Sequence, residues 1–79
     1  MHYVYCIASE SNPTRRYIGY TENLRQRMVD HNSGHNPATT GSKWKLKGYI
    51  AFETRMRALD FERYLKSGSG HGFARKRLW

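Results

Sequence analysis

Apolar positions along the chain fall into strand-like and helix-like spacings that outline one small sheet with helices around it. Residues 2–8, His-Tyr-Val-Tyr-Cys-Ile-Ala, are rich in aromatic and β-branched types. Their near-continuous apolarity predicts a central strand covered on both faces. Ser9 to Thr14 contains Ser-Asn-Pro and reads as a loop. Arg16 to Tyr20 then predicts a second strand, paired with the first as a hairpin. Thr21 is the expected N-cap of a helix, with Glu22 in its first turn where the helix dipole favours an anion. That helix should run to about Asn32 and stop at Ser33-Gly34, with Leu24 and Met28 on its apolar side. His35 to Ser42 is polar, holds Pro37 and Gly41, and is expected to be a mobile loop.

Lys43 to Phe52 alternates as a third strand should. Trp44, Leu46, Ile50 and Phe52 are assigned to one face, and Lys43, Lys45 and Lys47 to the other. Thr54 can cap a second helix through about Lys66, whose packed stripe is Ala58, Phe61 and Leu65. Ser67-Gly68-Ser69-Gly70 is expected to be a flexible break, and Phe73 to Trp79 a short basic helix. The pattern predicts an α+β fold, a three-stranded and mainly antiparallel sheet flanked by helices. With 79 residues and no internal repeat, one domain spanning residues 1–79 is expected.

Charge sharpens this picture. Fourteen Lys and Arg against six acids give a net charge of +8, which suits a polyanionic partner through phosphate neutralisation and counterion release. Small ribosomal and architectural proteins share that signature, so charge alone does not separate catalysis from binding. The single cysteine, Cys6, lies in an apolar run. It excludes a disulfide framework within one chain, agrees with a reducing, cytoplasmic setting, and reads as a small core residue. No apolar stretch approaches the roughly 20 residues needed to cross a membrane, and no export signal is expected at the N-terminus.

Five side chains stand out for chemistry. Glu62 lies about 40° round the helical wheel from Ala58, beside Phe61 and Leu65, where an apolar residue belongs. A carboxylate there needs a cation or a proton. A salt bridge to an arginine such as Arg63 or Arg27 would serve; so would a divalent metal, since Mg²⁺ commonly takes one or two carboxylates plus phosphate oxygens and water. Arg27 and His31, four residues apart, flank the Leu24–Met28 side and should point toward the sheet. Arginine suits charge on a phosphorane, and histidine can orient a water or move a proton. His31 and His35 share a zinc-like spacing, but without a second cysteine or an adjacent acid the ligand count falls short. Tyr3 and Tyr5 share a strand face. If the hairpin turn centres on Asn12, Gly19 faces Tyr5, Tyr17 sits diagonal to it, and the glycine leaves room for a backbone to approach. For each of these residues, an ordinary structural role remains open.

Together, Tyr3-Val4-Tyr5, Tyr17-Ile18-Gly19, Arg27, His31 and Glu62 resemble the GIY-YIG endonuclease family over essentially the whole chain. Within the family, the chain is similar to small stand-alone bacterial members and to the nuclease domain of the excinuclease C subunit. Tyr3-Val4-Tyr5 stands where the first tripeptide ends in tyrosine, without its glycine; Tyr17-Ile18-Gly19 reproduces the second in full. Glu62 matches the metal-binding glutamate. Many members carry an asparagine after that glutamate, whereas this chain has none beyond Asn36; Ser67, Ser69 or the backbone of the glycine-rich break would have to stand in.

The resemblance implies a metal-dependent DNA endonuclease acting in repair or recombination. In that reading Glu62 holds one Mg²⁺ or Mn²⁺, weakly without substrate. Tyr5 as phenolate takes a proton from water, aided by Tyr17 and His31, and Arg27 stabilises the phosphorane. The products are a 5′-phosphate and a 3′-hydroxyl.

Two basic groups are candidates for nucleic-acid contact. Lys43, Lys45 and Lys47 suit phosphate spacing along a strand, or equally the protection of a sheet edge. Arg75, Lys76 and Arg77, beside Phe73 and Trp79, suit backbone contact and stacking, or a solvated helix face. Gly34 to Lys43 is not a phosphate loop, because its glycines are too far apart and its Lys-Ser order is reversed. The expected partner is nucleic acid, DNA before RNA, with no membrane and no indicated protein partner. The rival reading is a non-catalytic nucleic-acid-binding domain that retains the nuclease fold.

Overall fold

A computed structural model describes residues 1–34, 41 and 43–79. The described chain runs β1 (His2–Ser9), β2 (Arg16–Thr21), α1 (Leu24–Asn32), β3 (Trp44–Phe52), α2 (Arg55–Leu65) and α3 (Gly68–Arg77). The sheet is antiparallel with strand order β2-β1-β3. The expected polar loop, and with it His35, lies outside the described residues except for Gly41. None of the described helices is long and apolar enough to cross a membrane.

β1 is central, and Val4 through Ser9 are all buried. Its two faces feed two separate core clusters. Val4 and Cys6 pack with Ala58 and Leu65 of α2 and Ala74 of α3. Tyr5 and Ile7 pack with Trp44, with Leu24 and Met28 of α1 set against them. Strand alternation thus sends Cys6 to the α2–α3 side, where burial pushes its thiol up to about 11. Thiolate chemistry is unfavourable there.

The hairpin register pairs Tyr5 with Gly19 and Ala8 with Arg16, the register that a turn centred on Asn12 requires. The third strand departs from its expected pattern. Cys6 pairs with Gly48 and Ile7 with Leu46, so a bulge places Lys47 outside the ladder. An extra residue reverses which side chains face which layer. Leu46 and Trp44 therefore join the α1 side, while Phe52 packs on the α2–α3 side. The expected single apolar face is two half-faces, and the three lysines do not form one regular row.

Local chemistry sets the helix ends. Thr21 remains in the β1–β2 ladder opposite Tyr3, so it cannot cap α1. Asn23 does, its Oδ1 accepting from the Gln26 amide at 3.1 Å, and Glu22 falls before the helix. The helix stops where expected, at Ser33, followed by Gly34 with φ of 81°; glycine adopts that left-handed conformation without a Cβ penalty. Thr54 caps α2 as expected, accepting from the Arg57 amide. The expected glycine-rich break is instead the N-cap and first turn of α3. Ser67 Oγ accepts from the Gly70 amide and donates to the Tyr64 carbonyl at 2.6 Å, starting the helix well before Phe73.

Gly70 is what allows α3 to begin so soon after α2. A Cβ there would collide with the Tyr64 carbonyl and lie 2.6 Å from the Leu65 Cα, whereas a Cβ on Gly72 would meet open space. Gly70→Ala should therefore destabilise the fold by about 1–3 kcal/mol, as overpacking does. Gly72→Ala should stabilise it by about 0.5–1 kcal/mol through helix propensity. Thermal melts followed by circular dichroism should show midpoints moving in opposite directions.

Candidate active site

Tyr5 is fully buried, and its ring lies over Gly19 of the neighbouring strand. A Cβ at position 19 would sit 2.5 Å from the Tyr5 hydroxyl oxygen and 2.9 Å from the Tyr17 ring. The space at Gly19 is therefore filled by the phenol itself and not by another backbone, as the sequence had suggested. Lying across the glycine, the Tyr5 side chain reaches α1. Its hydroxyl is 2.7 Å from Nε2 of His31, which is fully buried. Tyr17 completes an aromatic cluster, its ring centroid 6.3 Å from that of Tyr5 and 5.2 Å from that of His31.

Arg27, one turn before His31 on α1, is partly buried. Its guanidinium stands near enough to the Tyr5 hydroxyl for its charge to be felt there, favouring phenolate. Burial outweighs it. Removal from water, followed by Tyr17 and then by the Glu62 carboxylate, pushes the Tyr5 hydroxyl well above the ordinary phenol range. His31 moves the other way, held below its usual value by burial and then by Arg27, with Asp30 opposing. At neutral pH both partners are uncharged, and the proton between them rests on tyrosine. With Nδ1 protonated, Nε2 of His31 accepts it as a hydrogen bond.

Glu62 approaches from α2 on the other side of the sheet, close enough for its charge to act on Tyr5. Its side chain is 21% exposed, and Oε2 lies 3.3 Å from Nζ of Lys66. The cation expected beside this half-buried carboxylate is thus a lysine one turn on, while Arg63 turns to Asp60 at 3.8 Å. Sequence reasoning missed Lys66, although its i, i+4 spacing from Glu62 was the signal that could have found it.

The five expected residues, Tyr5, Tyr17, Arg27, His31 and Glu62, thus converge on β1, the β2 edge, α1 and α2. The basic groups do not, except for Arg75, which lines a cavity with Tyr17 and Lys66. Lys45 and Lys47 lie on β3, the opposite edge strand, and Lys43 just precedes it. Arg75, Lys76 and Arg77 form the last turn of α3, exposed, while Phe73 and Trp79 pack against the core on the α2–α3 side.

A family model for the GIY-YIG catalytic domain matches residues 1–76. This chain belongs to the GIY-YIG family. A UPF0213 protein of Haloquadratum walsbyi is 34% identical over 68 residues, spanning 84% of this chain and 74% of that one. A UPF0213 protein of Bacillus licheniformis is 31% identical over 67 residues, spanning 82% and 67% respectively. No solved structure matches the chain.

Against the GIY-YIG pattern, Ser67 is a poor stand-in for the missing asparagine, because its hydroxyl is engaged at both ends in capping α3. The donors present suit one loosely held divalent ion. Among the described residues no three His, Cys, Asp or Glu side chains cluster as a metal cage; an ion here would have Glu62 as its one carboxylate, in competition with the Lys66 ammonium, and would take its other ligands from water and phosphate oxygens.

Tyr5→Phe keeps the ring over Gly19 and deletes the hydroxyl that meets His31. The expected cost is about 1–3 kcal/mol, the usual penalty for breaking a buried hydrogen bond. Urea denaturation of the two proteins should show it as a lower midpoint at unchanged slope.

Proposed function

We infer that this protein is a metal-dependent endonuclease that hydrolyses phosphodiester bonds of DNA. The observation that carries this reading is the buried 2.7 Å Tyr5–His31 hydrogen bond with Arg27 beside it. That geometry alters the expected chemistry, since standing phenolate is disfavoured at Tyr5. The Tyr5 hydroxyl instead takes a proton from the attacking water while passing its own to Nε2 of His31. The resulting hydroxide attacks phosphorus, the bond to the 3′ oxygen breaks, and that oxygen takes a proton from solvent. A 5′-phosphate and a 3′-hydroxyl result. Arg27 offsets charge on the phosphorane. Glu62 would hold a divalent ion, which would supply charge neutralisation to the reaction.

The reading requires Tyr17, half-buried at the β2 edge, to turn aside so that water reaches Tyr5. With few side chains left to read base edges, the enzyme should choose nicked or branched DNA over a sequence, as repair or recombination demands.

The rival reading, a non-catalytic nucleic-acid-binding domain, is favoured by one observation: Tyr5 and His31 are both fully buried and satisfy one another. Plasmid nicking separates the two. With Mg²⁺ or Mn²⁺, the parent should convert supercoiled plasmid to open circle. Glu62→Ala should lose at least about a hundredfold in rate while still binding DNA and melting cooperatively. Binding without nicking by the parent on plasmid, nicked and branched DNA would sink the nuclease reading.

The pH profile tests the relay. His31 must be neutral to accept the proton, and its value is lowered, so the acid limb of the nicking rate should have its midpoint below about 6.5. The rate should then be flat through about pH 9. A rate still climbing toward pH 10 would indicate a phenolate base instead.

A further inference from the structure

A cavity of about 520 Å³ opens between the β2 edge and α3, beside the candidate catalytic cluster. Its walls are of two kinds. Ile18, Ala74 and the Trp79 indole make it apolar, while Arg16, Lys66 and Arg75 give it three cations. The Arg16 guanidinium stands 4.8 Å from the centre of the Trp79 ring, a stacking arrangement that holds a planar cation over an aromatic face. Two residues join this cavity to the site already described. Tyr17 lines it and packs on His31 and Tyr5; Lys66 lines it and pairs with Glu62.

We propose that this cavity seats one unpaired nucleotide of the bound nucleic acid, adjacent to the scissile phosphate. Its base would extend the Arg16–Trp79 stack, and its phosphate would lie on Lys66 and Arg75. The volume falls within the range of small-ligand sites. Its chemistry, an aromatic platform ringed by guanidinium and ammonium groups, matches what a base with its phosphate offers. A base inside a duplex is covered on both faces by its neighbours and cannot present one to an indole, so the cavity selects a displaced nucleotide. Selectivity for flapped, gapped or branched substrates then has a structural origin in the β2–α3 cavity. The inference rests on the nucleic-acid reading of the site but not on cleavage.

Fluorescence titration without metal, at fixed salt, tests it. A thymidine trinucleotide should quench the emission of Trp79, with Trp44, 4% exposed, as the unresponsive background. Trp79→Phe, which keeps an apolar ring, should abolish the quenching. Arg75→Ala, at an exposed position, should weaken trinucleotide binding by about tenfold while changing blunt-duplex binding less. Both variants are checked by thermal melts. Quenching that persists in Trp79→Phe, equal loss of duplex and trinucleotide binding in Arg75→Ala, or the same quenching by inorganic phosphate would each overturn the proposal. Binding of neither nucleic acid by the parent would overturn the nucleic-acid reading as well, whereas duplex bound as tightly as the trinucleotide would overturn only the cavity assignment.

Discussion

The Tyr5 phenol reaches His31 only because nothing projects from position 19. Cross-strand partners in an antiparallel pair have their Cβ atoms about 4.5–5.5 Å apart, too close for a ring to lie flat across a neighbour that carries a side chain. Glycine removes that obstacle, and the ring leans over the β2 backbone toward α1. Its hydroxyl then meets a histidine twenty-six residues further along the chain. The contact ties the sheet to α1 and sets where Arg27 and Tyr17 must stand. A methyl group at Gly19 would displace the phenol and, with it, the arrangement of every group around it.

Burial then decides the protonation of the pair. Removal from water acts on both members and penalises the charged form of each, so the phenol holds its proton more tightly and the imidazole resists gaining one. Arg27 favours phenolate on one partner and disfavours imidazolium on the other, which pulls against burial at Tyr5 and with it at His31. The outcome is an uncharged hydrogen bond at rest beside a fixed positive charge. Such a pair can pass a proton along its own axis without either member being charged beforehand. A buried phenolate would need compensation that a single guanidinium does not supply here.

Much of the architecture was legible in the sequence because local signals were unambiguous. The apolar run of β1, the turn centred on Asn12 and the Thr54 cap each follow from nearest-neighbour chemistry. The hairpin register was enough to bring Tyr5, Gly19 and Tyr17 together. What escaped was set by contacts distant in sequence. Gly48 hints at a bulge, but Ile50 and Phe52 keep the phase of Trp44 and Leu46 in the letters and so hide the extrusion of Lys47. Thr21 and Asn23 are both good capping residues, and only the ladder partner of Thr21 decides between them. Gly68 and Gly70 suggest a flexible link, yet Gly70 is required by the tight approach of α3 to the end of α2. The function of Gly19 was misread for a related reason: the sequence showed the gap but not which side chain fills it.

The two edges of the sheet are chemically unlike, and this bears on where a polyanion can lie. Along β3, Lys45 and Lys47 stand exposed at a bulged edge, and Lys43 just before it, which is what edge protection alone would produce. Around β2, two cations are held in place: Arg16 by the Trp79 ring and Lys66 by Glu62. A held cation loses less conformational entropy on meeting a phosphate than a free lysine does. Glu62 of α2, whose charge acts on Tyr5, pairs with Lys66 in the wall of the β2–α3 cavity, so a strand drawn there by charge arrives against the group that would hold a metal. Charge count alone would have assigned the nucleic acid to either edge. The ordering of the cations, and the cluster they surround, favours β2.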